Sequence, residues 1–151
     1  DEGLSRFDGY SFKNYTQEQG LPHRSIIDFL ETRDGDYLVA TGGGLAVFNP
    51  SGKAFRWNVV DGKLENTSDE LPMFKTYLTP DSNNDSKISK SILTLSTDSN
   101  DTVYAGTIHR LFKFIKTNGD WRFEKIQFDD WESKPRVFNF LFRDSKKNMW
   151  I

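Results

Sequence analysis

The sequence predicts an all-β protein made of β-propeller blades, each blade being a sheet of four antiparallel strands. Three observations support this prediction: short apolar strands separated by tight turns, a second copy of that run further along the chain, and partial copies on either side. The spacing of the copies fits a repeat of about 40–45 residues, which is the length of one propeller blade. The chain is therefore predicted to be a fragment of a larger propeller.

The first copy, at residues 25–58, predicts four strands joined as a meander. Asp34-Gly35 lies between the first two strands, and Asp-Gly between apolar runs is a strong hairpin signal. Gly42-Gly43-Gly44 follows the second strand, where glycine permits positive φ or a close backbone approach. The predicted strands are Ile26–Glu31, Tyr37–Thr41, Leu45–Phe48 and Lys53–Asn58.

The second copy, at residues 91–114, follows the first in register. Phe48 corresponds to Phe114 at a distance of 66 residues (114 − 48), and the other matched positions keep this distance. Residues 121–128 are predicted to supply the outer strand of this blade. Because a blade takes about 40–45 residues, the longer distance predicts an insertion of roughly 20–25 residues, which we place at residues 59–89.

Partial copies lie on either side of these two. Residues 3–7 match residues 44–48 at a distance of 41 (48 − 7), and residues 136–151 match the second copy with Asp144 in the place of Asp98 (144 − 98 = 46). The predicted division of the chain is the end of one blade at 1–22, a blade at 23–58, an insertion at 59–89, a blade at 90–128 and the start of the next blade at 129–151.

The composition limits the classes of function. Of the 151 residues 36% are hydrophobic and 15% aromatic, enough for a core in which aromatic rings pack between blades. With 20 Lys and Arg against 22 Asp and Glu, no net field favours nucleic acid as a partner. The absence of cysteine excludes disulfides and thiolate metal sites.

The repeated motifs resemble the two-component regulator propeller repeat. The pattern of that family runs Gly-Leu-Pro, then Asn-x-Val, then Asp-x-x-Gly-x-Leu-Trp-Ile-Gly-Thr, then Gly-Leu-x-x-Phe. The matching segments are Gly20-Leu21-Pro22, residues 31–41, Gly44-Leu45-Ala46-Val47-Phe48, Gly106-Thr107 and Met149-Trp150-Ile151. Two departures stand out: Tyr37-Leu38-Val39-Ala40 replaces the run that contains Trp, and a basic residue replaces the Asn.

This resemblance implies a seven-bladed propeller that acts as the periplasmic sensor of a bacterial two-component system. It implies a membrane span and a histidine kinase or regulator outside this chain, recognition of a small ligand such as an oligosaccharide, and no cofactor or catalytic residue within the chain. Two alternatives stay open. One is a propeller for protein interaction or homodimerisation without a small ligand. The other is an enzyme similar to streptogramin lyases, which would need His and carboxylate groups converging on one face.

The candidate ligand-binding residues are expected at one face of the propeller. In a four-stranded meander, the second turn and the connection to the next blade lie at the same end of the sheet, so Gly42–Gly44, residues 22–24 and the insertion at 59–89 are expected to share a face. Ligands usually bind at such loop-rich mouths. The candidate residues are Arg24, Lys90, Arg136, His23, His109 and Arg110.

Three of these candidates would form a basic ring. Arg24, Lys90 and Arg136 occupy equivalent positions at the entry to the innermost strand (90 − 24 = 66; 136 − 90 = 46). Their charges would suit an anionic or hydroxyl-rich ligand. The alternative is that they are ordinary solvated charges at the start of each strand.

Other residues have a structural interpretation beside a functional one. His23 and His109 lack the neighbouring ligands or nucleophile that a zinc site or a catalytic triad needs, and no metal site is expected. Asp98 and Asp144 fit Asx turns at hairpins better than calcium sites. Asp28 either faces the channel or caps a backbone group. The tryptophans on outer strands, Trp57 and Trp121, and also Trp131, are candidates for stacking on sugars, although packing between blades is favoured for the first two.

Overall fold

The computed structural model describes residues 3–54, 58–60, 63–65, 70–80, 90–128 and 137–151. Apart from one 3-10 helix, Gln17–Gln19, the regular structure in these ranges is β-strand. The strands are β1 (Leu4–Phe7), β2 (Phe12–Tyr15), β3 (Ile26–Glu31), β4 (Tyr37–Thr41), β5 (Gly44–Phe48), β6 (Asn58–Val60), β7 (Lys63–Glu65), β8 (Phe74–Tyr77), β9 (Thr94–Thr97), β10 (Val103–Gly106), β11 (Leu111–Thr117), β12 (Asp120–Lys125), β13 (Phe142–Arg143) and β14 (Met149–Trp150). No helix in the described ranges has the length and hydropathy needed to cross a bilayer.

The strands form two four-stranded antiparallel sheets and three hairpins. Sheet I has the order β3-β4-β5-β8, and sheet II has the order β9-β10-β11-β12. The pairs β1–β2, β6–β7 and β13–β14 form two-stranded sheets. The predicted all-β class and four-stranded antiparallel sheets are confirmed. The closure of these sheets into a propeller, its number of blades and the predicted division of the chain stay predictions.

The fourth strand of sheet I is not where the sequence placed it. The prediction of this strand at Lys53–Asn58 is wrong, because β5 pairs with β8, with Phe48 opposite Phe74. Phe74 is fully buried and stacks on Phe48 with 4.7 Å between the ring centroids. Lys53 instead forms an isolated bridge to Pro72. The burial of an aromatic ring against the core decides which segment completes the sheet.

This pairing also moves part of the predicted insertion to the other end of sheet I. Residues 49–54 follow the third strand and residues 70–73 precede the fourth, so these described residues lie at the end opposite the Gly42–Gly43 turn. The β6–β7 hairpin lies between them in the sequence. The expectation that all of residues 59–89 share a face with the triple glycine is therefore wrong for residues 70–73. The predicted polar tip at 81–89 lies outside the described residues.

Among the described residues, three apolar clusters form the core, one at each contact between neighbouring sheets. The first joins sheet I to sheet II and includes Leu38, Leu45, Leu95, Val103 and Phe114. The second joins the β1–β2 hairpin to sheet I and includes Tyr15, Leu21, Val39, Phe48 and Phe74. The third joins sheet II to β13–β14 and includes Leu111, Phe138 and Leu141. The strand β4 is therefore buried on both faces, which explains why Leu38-Val39-Ala40 is apolar without alternation.

Two hydrogen bonds between sheets recur at successive junctions. At the first junction the amide of Ile92 donates to the carbonyl of Thr41 at 3.1 Å, and the amide of Leu95 donates to Asp28 Oδ2 at 2.7 Å. At the second junction the amide of Phe138 donates to the carbonyl of Thr107 at 3.0 Å, and the amide of Leu141 donates to Thr94 Oγ1 at 3.2 Å. The acceptors are 66 residues apart (107 − 41 and 94 − 28) and the donors 46 apart (138 − 92 and 141 − 95). The sequence repeat is thus also a repeat of sheet-to-sheet docking.

Asp28 is accordingly a structural residue of the junction. Its second carboxylate oxygen, Oδ1, accepts the amide of Phe29 at 2.8 Å. The interpretation that Asp28 caps a neighbouring backbone group is confirmed, and the group it caps belongs to the innermost strand of the next sheet.

The first hairpin of each sheet has one residue in the left-handed region, at the same place in the repeat. These residues are Gly35, Asp101 and Lys147, with φ values of 81°, 62° and 71°. The distances between them are again 66 and 46 (101 − 35 and 147 − 101). Only glycine adopts this conformation without cost. This geometry is the physical reason for a glycine at that position of the motif.

Two of these hairpins each contain an aspartate whose side chain accepts several hydrogen bonds from the turn. Asp98 Oδ1 accepts the amides of Asn100 and Thr102, and its Oδ2 accepts the hydroxyl of Tyr104. Burial acts to raise the pKa of Asp98, but these hydrogen bonds act more strongly and hold it below the usual range. The Asx-turn interpretation of Asp98 is confirmed.

Asp144 holds the last hairpin in the same way. Its carboxylate accepts the side-chain amide of Asn148 at 3.0 Å and the indole N–H of Trp150 at 3.0 Å, and its Oδ1 accepts the amides of Lys146 and Asn148. These bonds lower the pKa of Asp144, the side chains of Asn148 and Trp150 contributing most. The separation of six residues between the aspartate and the aromatic residue (104 − 98 and 150 − 144) therefore reflects a direct side-chain hydrogen bond.

Replacing Asp28 with alanine is expected to lower the free energy of unfolding by about 1–3 kcal/mol, because the Leu95 amide is left buried without an acceptor. Asp28→Asn keeps a carbonyl acceptor and should recover part of the loss. Asp34→Ala, in the exposed β3–β4 turn, is the control and should stay within about 0.5 kcal/mol of the wild type. Urea denaturation measures all three, and equal losses in Asp28→Ala and Asp34→Ala would contradict the junction role.

Replacing Lys147 with glycine is expected to stabilise the protein by about 0.5–1 kcal/mol. The left-handed conformation costs an L-residue about 1–2 kcal/mol, whereas glycine costs only about 0.5–1 kcal/mol in backbone entropy. The neighbouring Lys146→Gly lacks this strain to relieve and should destabilise. Thermal and urea unfolding of the two variants measure the difference, and a lower stability for Lys147→Gly than for Lys146→Gly would refute this account of the turn.

Candidate functional site

The loops that enter and connect the inner strands gather at one end of the two sheets. We call this surface the loop face and define it by residues 22–25, 42–43, 90–92 and 107–110. The amide of Gly42 donates to the carbonyl of Ser25 at 3.2 Å, and the hydroxyl of Ser91 donates to the carbonyl of Gly42 at 3.3 Å. The entry to β3, the β4–β5 turn and the entry to β9 are thus in direct contact.

A threonine hydroxyl shapes the turn at this face in both sheets. Thr41 Oγ1 donates to the carbonyl of Gly44 at 2.8 Å and accepts the amide of Gly43 at 3.1 Å. In sheet II, Thr107 Oγ1 donates to the carbonyl of Arg110 at 3.0 Å and accepts the Arg110 amide at 2.9 Å. Both threonines are buried. The Gly-Thr of the repeat is therefore a turn-forming element.

His23 lies against the glycine turn. Its Nδ1 accepts the amide of Ser25 at 3.0 Å, which leaves Nε2 to carry the proton when the ring is neutral. A Cβ atom on Gly42 would lie 2.7 Å from His23 Nδ1, and one on Gly43 would lie 2.9 Å from the carbonyl oxygen of Pro22. Glycine is required at these two positions because the His23 segment occupies the space of a side chain. His23 therefore helps to build the loop face.

The basic candidates occupy equivalent places on this face. Arg24 precedes β3 and Lys90 precedes β9, and both side chains are exposed. Arg136, the third member of the predicted basic ring, lies outside the described residues. The ring as a ligand site stays a prediction.

His109 and Arg110 lie in the β10–β11 turn. His109 is exposed and its amide donates to Thr107 Oγ1 at 3.3 Å, while Arg110 is half-buried. These two residues form the part of the loop face contributed by sheet II. Within the described ranges, no three His, Asp or Glu side chains come close enough together to hold a metal ion.

The opposite end of the sheets carries a small polar cleft of about 240 Å³ between the first hairpins of sheets I and II. Asp101 Oδ2 accepts the amide of Arg33 at 3.1 Å across the cleft, and Lys116 forms a 2.6 Å ion pair with Asp36. Trp121 lines this cleft and stacks on Phe114 at 4.8 Å. It also belongs to the buried cluster that joins sheets I and II, so the interpretation of Trp121 as packing between sheets is confirmed. Trp57 and Trp131 lie outside the described residues.

A second ion pair braces the outer strands of the two sheets. Asp120 accepts Lys75 Nζ at 2.7 Å and the hydroxyl of Tyr77. Lys75 and Tyr77 together lower the pKa of Asp120. Burial and the Asp120 carboxylate raise the pKa of Tyr77 above its usual range. This cluster joins the sheets away from the loop face.

A cavity of about 540 Å³ lies beside the β1–β2 hairpin and was not predicted from the sequence. Its walls are the β1 residues Leu4, Ser5 and Arg6 and the sheet I residues Phe29, Tyr37, Phe48 and Pro50. Phe29 is 44% exposed although its repeat equivalent, Leu95 (95 − 29 = 66), is 6% exposed. In the sequence, this surface is indicated by a difference in residue type, since Phe29 is aromatic where the second copy has Leu95.

Comparison with known proteins adds little to this description. No family model matches the sequence, and no curated protein matches it. Among solved structures, the fold is similar to the crystal structure of the extracellular domain of a protein described as a one-component system from B. thetaiotaomicron, at 19% identity and a TM-score of 0.42. The similarity covers 99% of this chain but 23% of that chain, so this chain spans about a quarter of its length. A TM-score at this level supports no inference about ligand or partner, and membership of the propeller repeat family stays a prediction.

Replacing Thr107 with valine is expected to destabilise the β10–β11 turn by about 1–3 kcal/mol, because the Arg110 amide loses its acceptor and the Arg110 carbonyl loses one of its two donors without a change in side-chain size. Thr117→Val, at the exposed end of β11, is the control and should change stability by less than about 0.5 kcal/mol. Hydrogen exchange at the amides of His109 and Arg110 reports the turn directly. Unchanged exchange there would contradict the role of the hydroxyl.

Proposed function

We propose that this chain is part of a β-propeller that serves as an extracytoplasmic sensor, binding a small ligand at its loop face. The observation that carries the proposal is the recurrence of the same two inter-sheet hydrogen bonds at both junctions. A sheet that docks on the next in the same way each time generates a radial array, which is how propellers are built.

The radial array would bring the equivalent loops of successive sheets together on the loop face. Equivalent loops of successive sheets are placed side by side around a common axis, so Arg24 and Lys90 contribute the same charge from neighbouring positions. Guanidinium and ammonium groups donate hydrogen bonds to carboxylates and to sugar hydroxyls. An oligosaccharide, and in particular an acidic one, is the ligand class that fits this chemistry.

The turns behind these charges are rigid. The hydroxyls of Thr41 and Thr107 and the close packing of His23 on Gly42 hold the backbone of the loop face in one arrangement. A rigid scaffold under exposed charges lowers the ordering cost of binding. The role is recognition without catalysis, and the signal would pass to a membrane-anchored histidine kinase or regulator outside this chain.

A protein-interaction or dimerisation propeller is the second candidate. The observation that favours it is the exposure of aromatic residues at both ends of the array: Phe7 and Phe12 on the first hairpin, and Phe140, Phe142 and Trp150 near the last. Exposed apolar patches can mark sites of contact with another protein. An enzyme similar to streptogramin lyases has no comparable observation in its favour.

A thermal-shift screen against neutral and acidic oligosaccharides tests the sensor proposal. A ligand present at about 100 times its Kd should add about 2.7 kcal/mol to the stability of the native state. The shift should be reduced in the double variant Arg24→Ala/Lys90→Ala and retained in Lys113→Ala/Lys125→Ala, which removes two exposed charges from β11 and β12. A flat panel, or an equal loss in both double variants, would favour the interaction propeller instead.

A further inference from the structure

The imidazole of His23 is bonded into the backbone of the loop face. Its Nδ1 accepts the amide of Ser25 at 3.0 Å, which ties the ring to the segment that enters β3. A ring nitrogen of histidine accepts a hydrogen bond only when it carries no proton. The observed arrangement therefore belongs to the neutral form of His23.

The same ring is packed against the glycine turn. A Cβ atom on Gly42 would lie 2.7 Å from Nδ1 and 2.9 Å from Cε1 of His23, so the ring fills the space that a side chain at Gly42 would need. The His23 side chain is half-buried in this position. A ring that loses its bond to Ser25 cannot move closer to the turn and has to move away from it.

A chain of hydrogen bonds continues from this segment to the next sheet. The carbonyl of Ser25 accepts the amide of Gly42 at 3.2 Å, and the carbonyl of Gly42 accepts the hydroxyl of Ser91 at 3.3 Å. Ser91 is next to Ile92, whose amide forms the hydrogen bond between the sheets described above. His23 is thus connected, through two backbone segments, to the entry of β9.

The titratable residues of the loop face are all basic: His23, Arg24, Lys90, His109 and Arg110. The glycine turn itself contributes no charged group. The acidic residues nearest to His23 in the sequence are Glu18, exposed on the 3-10 helix, and Asp28, whose oxygens accept the amides of Phe29 and Leu95. No carboxylate of the loop face is therefore available to hold a charged imidazole in the place of the neutral ring.

We propose that His23 is a pH-sensitive switch of the loop face: the neutral ring holds the β4–β5 turn on the entry to β3, and protonation releases the two from each other. On protonation Nδ1 becomes a donor and faces the Ser25 amide, which is also a donor, so repulsion replaces the hydrogen bond. Imidazole changes charge between about pH 5 and 8. The bond is therefore present at the upper end of this range and is lost as the pH falls through it.

Release of the turn would act on the exposed charges of the loop face. Arg24 lies between His23 and Ser25 in the sequence, and Lys90 lies next to Ser91. A basic residue thus stands at each end of the chain of hydrogen bonds, on backbone that the first bond helps to fix. For the sensor proposed above, recognition would depend on the pH outside the cell. This consequence rests on the proposed function, whereas the switch itself needs no ligand.

The repeat does not carry the histidine. The second copy has Ser89 at the position equivalent to His23, and the third copy has Pro135 (89 − 23 = 66; 135 − 89 = 46). Both of these residues lie outside the described part of the chain. Neither side chain titrates, so the switch is specific to the turn at 42–43 and is not a general property of the repeat.

An NMR titration of the 151-residue chain without ligand tests the proposal. In the wild type, the Ser25 amide signal should shift with the same midpoint as the His23 ring signals, because the two groups share a hydrogen bond. His23→Asn is the matched variant: an asparagine side chain accepts the amide two residues on at every pH, so its Ser25 signal should not titrate. His23→Ala has no acceptor and should resemble the acid form of the wild type at every pH.

Hydrogen exchange measures the release of the turn. Protection of the Gly42 amide in the wild type, relative to His23→Asn at the same pH, should fall about threefold to tenfold between about pH 7.5 and 5.5, as expected for one lost hydrogen bond. The amide of Leu95, bonded to Asp28 at the junction, is the internal control and should be equally protected in both proteins. Circular dichroism confirms that the variants keep the fold.

Three results would overturn the switch. They are a Ser25 amide that does not titrate with His23, a Ser25 amide that follows the ring of His109 instead, and equal protection of Gly42 in the wild type and His23→Asn at about pH 5.5. The oligosaccharide screen, repeated at both pH values, separates this inference from the proposed function. A flat panel together with a titrating Ser25 amide would overturn the sensor proposal and support the switch.

Discussion

The docking of one sheet on the next is the interaction on which the rest of this structure depends. A four-stranded sheet that is apolar on both faces has no stable form alone, so it must be covered twice. Here two hydrogen bonds fix the register of each sheet on the preceding one. The donors are backbone amides at or near the innermost strand. One acceptor is a threonine carbonyl, and the other is the side chain of Asp28 or Thr94. The bonds orient the contact, and the apolar clusters around Leu38 and Leu111 supply most of its free energy.

This constraint explains several features that otherwise look unrelated. The glycine turn at 42–43 is tight because the segment entering β3 packs on it through His23. Gly106 has no side chain because a Cβ atom there would lie 2.5 Å from the carbonyl oxygen of Phe138, which enters the next junction. The geometry of the loop face therefore follows from the docking of the sheets, because the turns of this face are also part of the contacts between sheets.

The loop face and the cavity beside β1 are two different kinds of candidate site. The loop face exposes Arg24 and Lys90 at the entries to β3 and β9, and these charges support the proposed recognition of a ligand. The cavity beside β1 is lined by aromatic residues, Phe29, Tyr37 and Phe48 among them. The two surfaces therefore differ in chemistry, since one offers hydrogen-bond donors and the other offers aromatic rings.

The sequence by itself determined the elements whose signals are local. β3 and β4 follow from short apolar runs on either side of the Asp34-Gly35 turn, and the distances of 66 and 46 residues identify equivalent positions. The carboxylates of Asp98 and Asp144 were assigned to turns for the same reason, because their partners lie within six residues.

Only the tertiary structure decided the non-local pairings. The choice between residues 53–58 and Phe74–Tyr77 as the fourth strand of sheet I depended on which segment could bury an aromatic ring beside Phe48, and spacing along the chain does not encode that competition. The capping of Leu95 by Asp28 and the cavity beside Phe29 likewise exist only once two sheets meet. Local patterns specify strands and turns because those interactions span a few residues, whereas a junction is specified by the fit of two surfaces brought together by the whole fold.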